Sequence, residues 1–267
     1  MRDFSRNGTH GLETVEATPC GPVHLVGAGP GDPELLTLRA ARLIAAADVV
    51  IHDRLVGAEI LALARDGAVL LDVGKTPYGR SWKQDDINAL IVSHARAGAS
   101  VVRLKGGDPA VFGRMDEEIE ALDAAGIGWT IVPGVTSASA GAAALGQSLT
   151  KRGRNKSFRI LTAHDVEGFA EHDWRGLARP GSTAAIYMGV KAATFLRGRL
   201  LMHGAAADTP VTAVESASRA DQRVIAATLI DLPEALAEAA PTGPVVLLFG
   251  LAPRSAAVEA LNIREAL

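Results

Sequence analysis

From residue 22 onward, short Val/Ile/Leu runs alternate with Ala-rich segments whose apolar positions recur at helical spacing. In the first half, the runs at 22–26, 48–52, 69–73, 100–104 and 129–132 predict strands. Helices are predicted between them at 33–46, 58–65, 84–97 and 117–125. Leu35, Leu36, Leu38, Leu43 and Ile44 supply the apolar face of the first helix, and Ile87, Leu90, Ile91 and His94 recur at helical spacing in the third. The strand runs are apolar throughout instead of alternating. That pattern belongs to a parallel sheet covered on both faces by helices.

The second half is different. A small-residue helix is predicted at 137–145, a basic loop at 151–156, and helices at 191–203 and 232–240. Strands are predicted at 158–162, 183–187, 211–215, 223–228 and 245–248. The gap at 216–222 is too short for a helical crossover, so the strands on either side of it pair antiparallel. The expectation is therefore an α/β chain with a parallel-sheet N-terminal domain and a mixed-sheet C-terminal domain. The divisions are a tail at 1–20, domains at 21–133 and 134–254, and a C-terminal tail at 255–267.

Composition narrows the function. Lys and Arg number 27 against 30 Asp and Glu, a net charge of −3, which argues against bulk binding to nucleic acid or a membrane surface. Aromatic residues are 4%, too few for platforms that stack bases. A single cysteine, Cys20, excludes an internal disulfide framework and a cysteine zinc site. His24, His52, His94, His164, His172 and His203 are scattered without metal-ligand spacing, so no metal is expected. No apolar run reaches the roughly 18 residues of a membrane span. Residues 1–20 lack the apolar core of an export signal, which makes the cytoplasm the default compartment.

Two glycine turns carry the chemistry. VHLVGAGPGD at 23–32 runs from a strand into a Gly-rich turn, as a dinucleotide-binding fingerprint does. The fit is poor. The spacing of Gly27, Gly29 and Gly31 places Asp32 where the third glycine belongs, and Pro30 and Pro33 remove two N–H donors that a phosphate would need. Gly31-Asp32-Pro33 is echoed by Gly107-Asp108-Pro109. A carboxylate at the carboxyl edge of a parallel sheet suits a hydroxyl pair or an ammonium group; the alternative is an Asp that caps the following turn.

VHLVGAGPGDPELLTLRA, HDRLV, VGK, VVRLKGGDPAVFGR, VPGVTSASA, YMG and PTGPVVLLFG, in this order over residues 22–254, resemble the uroporphyrinogen-III C-methyltransferases. These are tetrapyrrole methylases that use S-adenosylmethionine. The resemblance implies the two-domain tetrapyrrole methylase fold with the active cleft between the domains. It implies transfer of two methyl groups to rings A and B of uroporphyrinogen III, giving precorrin-2 for siroheme, cobalamin or heme d1, with S-adenosylhomocysteine as by-product and no metal. It also implies a homodimer. Some relatives carry a further dehydrogenase and ferrochelatase module; few residues precede the first strand here, so methylation alone is expected.

Carried over by motif, the cofactor contacts are Pro30, then Gly106, Gly107, Asp108 and Val111, then Thr136, Ser137 and Met188. Ala217 falls where relatives often have Gly, and Thr242 and Gly243 in the closing PTGP are less specific. The resemblance makes Asp53 an acid/base carboxylate; the alternative is a strand-end carboxylate paired with Arg54. Lys75 becomes a proton donor or a cation for substrate carboxylates, with a solvated loop lysine as the alternative. Arg114 is suited to bind the carboxylates of the substrate, with or without a direct catalytic part. Glu117, three residues on, either orients Arg114 or is surface charge. The basic run 151–156 is either a rim that steers a polyanion or a solvated loop.

Three rival readings stay open: a methylase of a later corrin precursor, a nicotinamide oxidoreductase, and a binding module without turnover. Product mass, nicotinamide binding and ligand binding without turnover, respectively, discriminate them.

Overall fold

The computed structural model describes residues 19–74, 82–166 and 168–254. Lys75, the tail at 255–267 and all but the last two residues of the tail at 1–20 lie outside the described residues. Strands β1 (Val23–Gly27), β2 (Val49–His52), β3 (Val69–Asp72), β4 (Val101–Lys105) and β5 (Trp129–Val132) form one sheet, ordered β3-β2-β4-β1-β5. Every pairing in it is parallel. Helices α1 (Leu38–Ala46) and α2 (Ala58–Leu61) cover one face, where Ile44 and Ile60 pack on Val26, Val50, Val102 and Leu104. Helices α3 (Gln84–Arg96) and α4 (Met115–Ala124) cover the other, where Ile87, Ile91 and Leu122 pack on Val23, Ile51 and Val101. The central strands β1, β2 and β4 are buried on both faces, whereas the edge strand β3 is largely exposed.

The helix expected at 33–46 is two elements. Asp32 Oδ1 accepts from the Glu34 amide at 2.8 Å and caps a short 3-10 turn, Pro33–Leu35. Thr37 Oγ1 accepts from the Ala40 amide at 3.1 Å and caps α1 anew. The break rotates the apolar stripe. Ile44 stays buried, whereas Leu35 and Leu38 are exposed, Leu38 by 82%. The helix expected at 58–65 shortens to α2.

The second sheet follows a link of a few residues after β5. Helix α5 (Ser137–Ala144) precedes β6 (Arg159–Thr162), a small hairpin of β7 (His164–Asp165) and β8 (Gly168–Phe169), α6 (Trp174–Leu177) and β9 (Ala184–Tyr187). Then come α7 (Ala193–Met202), β10 (Pro210–Glu215), β11 (Arg223–Thr228), α8 (Leu232–Ala239) and β12 (Val245–Phe249). The sheet is ordered β11-β10-β12-β9-β6. Strands β6 and β9 pair parallel; β9 with β12, β12 with β10 and β10 with β11 pair antiparallel. The mixed sheet and the β10–β11 hairpin match the sequence reading. The β7–β8 hairpin and α6 are additions.

Helix α5 is Ser/Ala/Gly-rich because it lies close on the second sheet. A Cβ at Gly141 would sit 3.2 Å from the side chains of Leu248 and Val246. Ala138 and Ala140 complete that contact, and α6, α7 and α8 cover the opposite face around Leu177, Leu196 and Leu236. Among the described residues no helix is long and apolar enough to cross a membrane.

Candidate functional site

Neighbouring strands β1 and β4 each end in a glycine turn, and the turns cross. The Gly29 amide donates to Gly107 O at 3.1 Å and the Gly107 amide to Gly29 O at 2.7 Å. Both residues have positive φ, 69° and 72°. A Cβ at Gly27 would lie 2.7 Å from Gly107 O and 2.6 Å from Gly134 N. Gly27 and Gly29 therefore serve backbone-to-backbone contact within the protein, while Gly31 leaves room for the Arg219 side chain, the physical reason that a pyrophosphate fingerprint fits poorly. Asp32 is a cap and does not line the cleft. Asp108 accepts from the Ala110 amide at 2.8 Å through Oδ1 and from the Gly134 amide at 3.1 Å through Oδ2.

Between the two sheets these turns form the floor of a cleft of about 680 Å³. The first domain contributes Pro30, Asp53, Gly106, Gly107, Asp108 and Val111 to its wall. The second contributes Thr136, Ser137, Met188 and Ala217. Thus most of the expected cofactor contacts converge on one cleft from sequence positions far apart. Tyr187, at the end of β9, holds the start of α5 there. Its hydroxyl accepts from the Ala138 amide at 3.0 Å and pairs with Thr136 Oγ1 at 2.5 Å. Its ring meets Phe112 at 5.4 Å. Phe112 and Met188 both line the cleft with positive φ, 52° and 57°, a backbone state held only where the surroundings enforce it.

Thr242 and Gly243 are not in the wall, although Pro244 and Val245 are. Their amides donate to Glu215 Oε1 at 2.7 and 2.6 Å, while Arg223 Nε reaches Oε2 at 2.6 Å. This buried carboxylate anchors the closing loop. Burial pushes the Glu215 carboxyl up, but the Gly243 amide, Arg223 and the Thr242 amide outweigh it and hold it below the usual range.

The end of β2 corrects another expectation. Asp53 pairs with Arg103 of β4, not with its neighbour Arg54. Arg103 Nη2 reaches Asp53 Oδ1 at 2.5 Å, Nε reaches Glu118 Oε1 at 2.9 Å, and Nη1 donates to the carbonyls of Ile51 and Leu104 at 3.3 and 3.2 Å. Lys105 Nζ donates to the same Glu118 Oε1 at 2.8 Å. Arg103, Lys105 and Glu118 are 2%, 3% and 1% exposed. Burial alone would lower the Arg103 pKa; Asp53 and Glu118 reverse that and raise it. The Lys105 pKa is pulled down by burial and by the charge of Arg103, against the opposing effect of Glu118 and Asp53. Lys105 lines the cleft.

Arg114 has a positive φ of 54° just before α4 and is absent from the cleft wall. Its Nε and Nη2 donate to Glu117 Oε1 and Oε2, each at 2.7 Å, a bidentate pair between two exposed side chains. That pair holds the Arg114 pKa above its usual value and the Glu117 pKa below. The basic run 151–156 lies outside the wall as well. Lys151, Arg152 and Lys156 are exposed, while Arg154 Nη2 donates to the Ser148 carbonyl at 2.5 Å.

Sequence reasoning passed over Lys105, Tyr187 and Arg219 and took His164 only as one of the scattered histidines; all four are in the wall. Arg219 belongs to the loop after β10 yet reaches the first domain. Its Nη2 donates to the Leu55 carbonyl at 2.5 Å, its Nε lies 3.5 Å from the Pro30 carbonyl, and the Asp32 amide donates to Ser218 Oγ at 3.1 Å.

Comparison with known proteins gives a consistent picture. The family described as Tetrapyrrole (Corrin/Porphyrin) Methylases matches residues 22–233. Siroheme synthase 3 of Aeromonas hydrophila is 48% identical over 219 residues, 82% of this chain and 47% of that protein. Siroheme synthase of Methylococcus capsulatus is 46% identical over 231 residues, 86% and 49% of the two chains. The chain thus spans about half the length of these curated relatives. Among solved structures, uroporphyrin-III C-methyl transferase from Thermus thermophilus, complexed with S-adenyl homocysteine, is 41% identical with a TM-score of 0.74, covering 86% of this chain and 97% of that one. A cobalt precorrin-4 methyltransferase is 29% identical with a TM-score of 0.77, covering 86% and 94%.

Proposed function

Because the chain belongs to the tetrapyrrole (corrin/porphyrin) methylases, we propose that it transfers two methyl groups from S-adenosylmethionine to rings A and B of uroporphyrinogen III, giving precorrin-2. The observation that carries this reading is the convergence of both domains on one cleft, where Pro30, Gly106–Asp108, Thr136, Ser137, Met188 and Ala217 meet. In sequence the chain is 41% identical to the uroporphyrin-III C-methyl transferase complexed with S-adenyl homocysteine against 29% for the cobalt precorrin-4 methyltransferase, and it is this difference, not the TM-scores of 0.74 and 0.77, that favours uroporphyrinogen III as the substrate.

The cleft fits such a nucleoside. Its floor is backbone at the carboxyl ends of parallel strands, its volume of about 680 Å³ is in the range of small-molecule sites, and Val111, Met188 and Val246 give its wall apolar surface. When bound, S-adenosylmethionine supplies an electrophilic methyl group to a pyrrole carbon, the S–C electron pair returning to sulfur, and the alkylated ring then has a proton to shed. Thr136, Ser137 and the two glycine turns orient the reactants, which supplies much of the acceleration in a methyl transfer. Asp53, held through Oδ1 by Arg103, takes the proton at Oδ2. Arg114, preset by Glu117, receives a substrate carboxylate as a bidentate donor. A homodimer belongs to the same proposal, and sedimentation equilibrium checks it.

The test is anaerobic incubation with uroporphyrinogen III and S-adenosylmethionine, followed by mass spectrometry. A gain of two methyl groups supports the reading. No gain, or methylation of a later corrin precursor in place of uroporphyrinogen III, overturns it.

A further inference from the structure

Strand β4 places Arg103 and Lys105 on the sheet face that is otherwise built from Val23, Val49, Ile51 and Val101 beneath α3 and α4. Charges are tolerated at such depth only when paired, and apolar residues of similar size are often no less stable there. Stability is therefore a weak reason for this cluster. Its layout suggests another. Glu118, projecting from α4, spends one oxygen on both cations, Nε of Arg103 at 2.9 Å and Nζ of Lys105 at 2.8 Å. The guanidinium is held on a second side by the carbonyls of Ile51 and Leu104. Its remaining arm reaches Asp53 Oδ1, at the cleft wall. Asp53 is the only one of the four with substantial exposure, 31% of its side chain against 3% or less for the others. The cluster is thus a buried bracket whose most exposed end is Asp53.

We infer that Glu118 and Arg103 are positioning residues for the proton-transfer step: Glu118 fixes the plane of the Arg103 guanidinium, and Arg103 fixes the Asp53 carboxylate at the cleft wall. Neither touches the reacting atoms. The same Glu118 oxygen sets Lys105, so the carboxylate and the ammonium that face the cleft are held in register by one buried atom. The inference rests on the acid–base role proposed for Asp53.

A double-mutant cycle tests it. Methyl transfer to uroporphyrinogen III is followed under anaerobic single-turnover conditions for the unaltered protein, Asp53→Asn, Glu118→Gln and the double variant. Binding of S-adenosylhomocysteine is measured by calorimetry and folding by thermal melting on each. Glu118→Gln is expected to slow transfer about 10- to 100-fold, the effect of a misplaced reacting group, with S-adenosylhomocysteine affinity unchanged. On the Asp53→Asn background it is expected to add nothing, because both changes act through one carboxylate. Multiplicative losses in the double variant, or a loss of S-adenosylhomocysteine affinity as large as the loss of rate, overturn the inference and leave the role of Asp53 standing. An unaltered rate in Asp53→Asn overturns that role, and the inference with it. Should Glu118→Gln fail to fold, Arg103→Lys replaces it in the cycle. It keeps the charge, but a single ammonium cannot bridge both carboxylates as the guanidinium fork does.

Discussion

Asp108 Oδ2 accepts a hydrogen bond from the Gly134 amide at 3.1 Å, so a residue in the turn after β4 holds the first stretch of the link to the second domain. The same side chain lies in the cleft wall. Asp108→Ala is expected to weaken S-adenosylhomocysteine binding roughly tenfold or more and to lower the melting temperature, since it removes a charged acceptor from two amides. Asp108→Asn keeps one acceptor oxygen and is expected to fall between. Calorimetry and thermal melting read both. Full affinity in Asp108→Ala would leave the residue as a turn cap only.

Arg114 presents the opposite profile. It stands outside the wall and is paired with Glu117. Arg114→Ala is expected to lower kcat/KM for the tetrapyrrole by at least about tenfold, the worth of hydrogen bonds to a charged group, with S-adenosylhomocysteine affinity within twofold. Steady-state kinetics with both substrates varied checks it; an equal loss in nucleoside affinity would move Arg114 to the cofactor.

Gly134 has no room for a side chain. A Cβ there would lie 2.2 Å from Gly107 O and 3.0 Å from Gly27 Cα, both backbone. Gly134→Ala is expected to destabilise the fold by about 1–3 kcal/mol, as overpacking does. Gly128→Ala, with nothing within 4 Å of its added carbon, serves as the control and should stay within about 0.5 kcal/mol. Urea unfolding of the two variants gives the comparison.

Glu215 gives the fold an acid limb. Its folded-state pKa is depressed, so its contribution is fully present above the ordinary glutamate pKa and is lost as pH falls through the lower folded value. Glu215→Gln is expected to be less stable at neutral pH by about 1–3 kcal/mol, because amides and Arg223 lose a charged partner. Below the ordinary pKa the gap should narrow. Melting temperatures from pH 7 to 3 test the sign; a constant gap would remove Glu215 from the acid response.

Much of this architecture was legible. Strands β1, β2 and β4 announce themselves because burial on both faces demands continuous apolar runs. The β7–β8 hairpin escaped notice because two-residue strands have no period to detect. The split of the first helix was written in Pro33 and Thr37, two start signals four residues apart, but the Leu-rich stripe concealed it. At the site, the glycine turns and the Thr136-Ser137 and Met188 positions were readable by motif. The partner of Asp53 was not. Arg103 and Glu118 are 15 residues apart, and Arg103 and Asp53 are 50 apart. Only the parallel pairing of β2 with β4 and the crossing of α4 bring them together. Two cations alternating within the apolar run VVRLK were the one available sign, since buried charges require partners.

The reciprocal Gly29–Gly107 pair is made of main chain alone. It carries no ionisable group, so neither acidity nor added electrolyte can loosen it directly. The groups that salt and pH can reach are side chains instead: Asp53, Lys105, Asp108 and Arg219 in the cleft wall, and Arg114 and the exposed Lys151, Arg152 and Lys156 outside it. The crossing of the two turns is thereby set apart from the titration of the side chains around it.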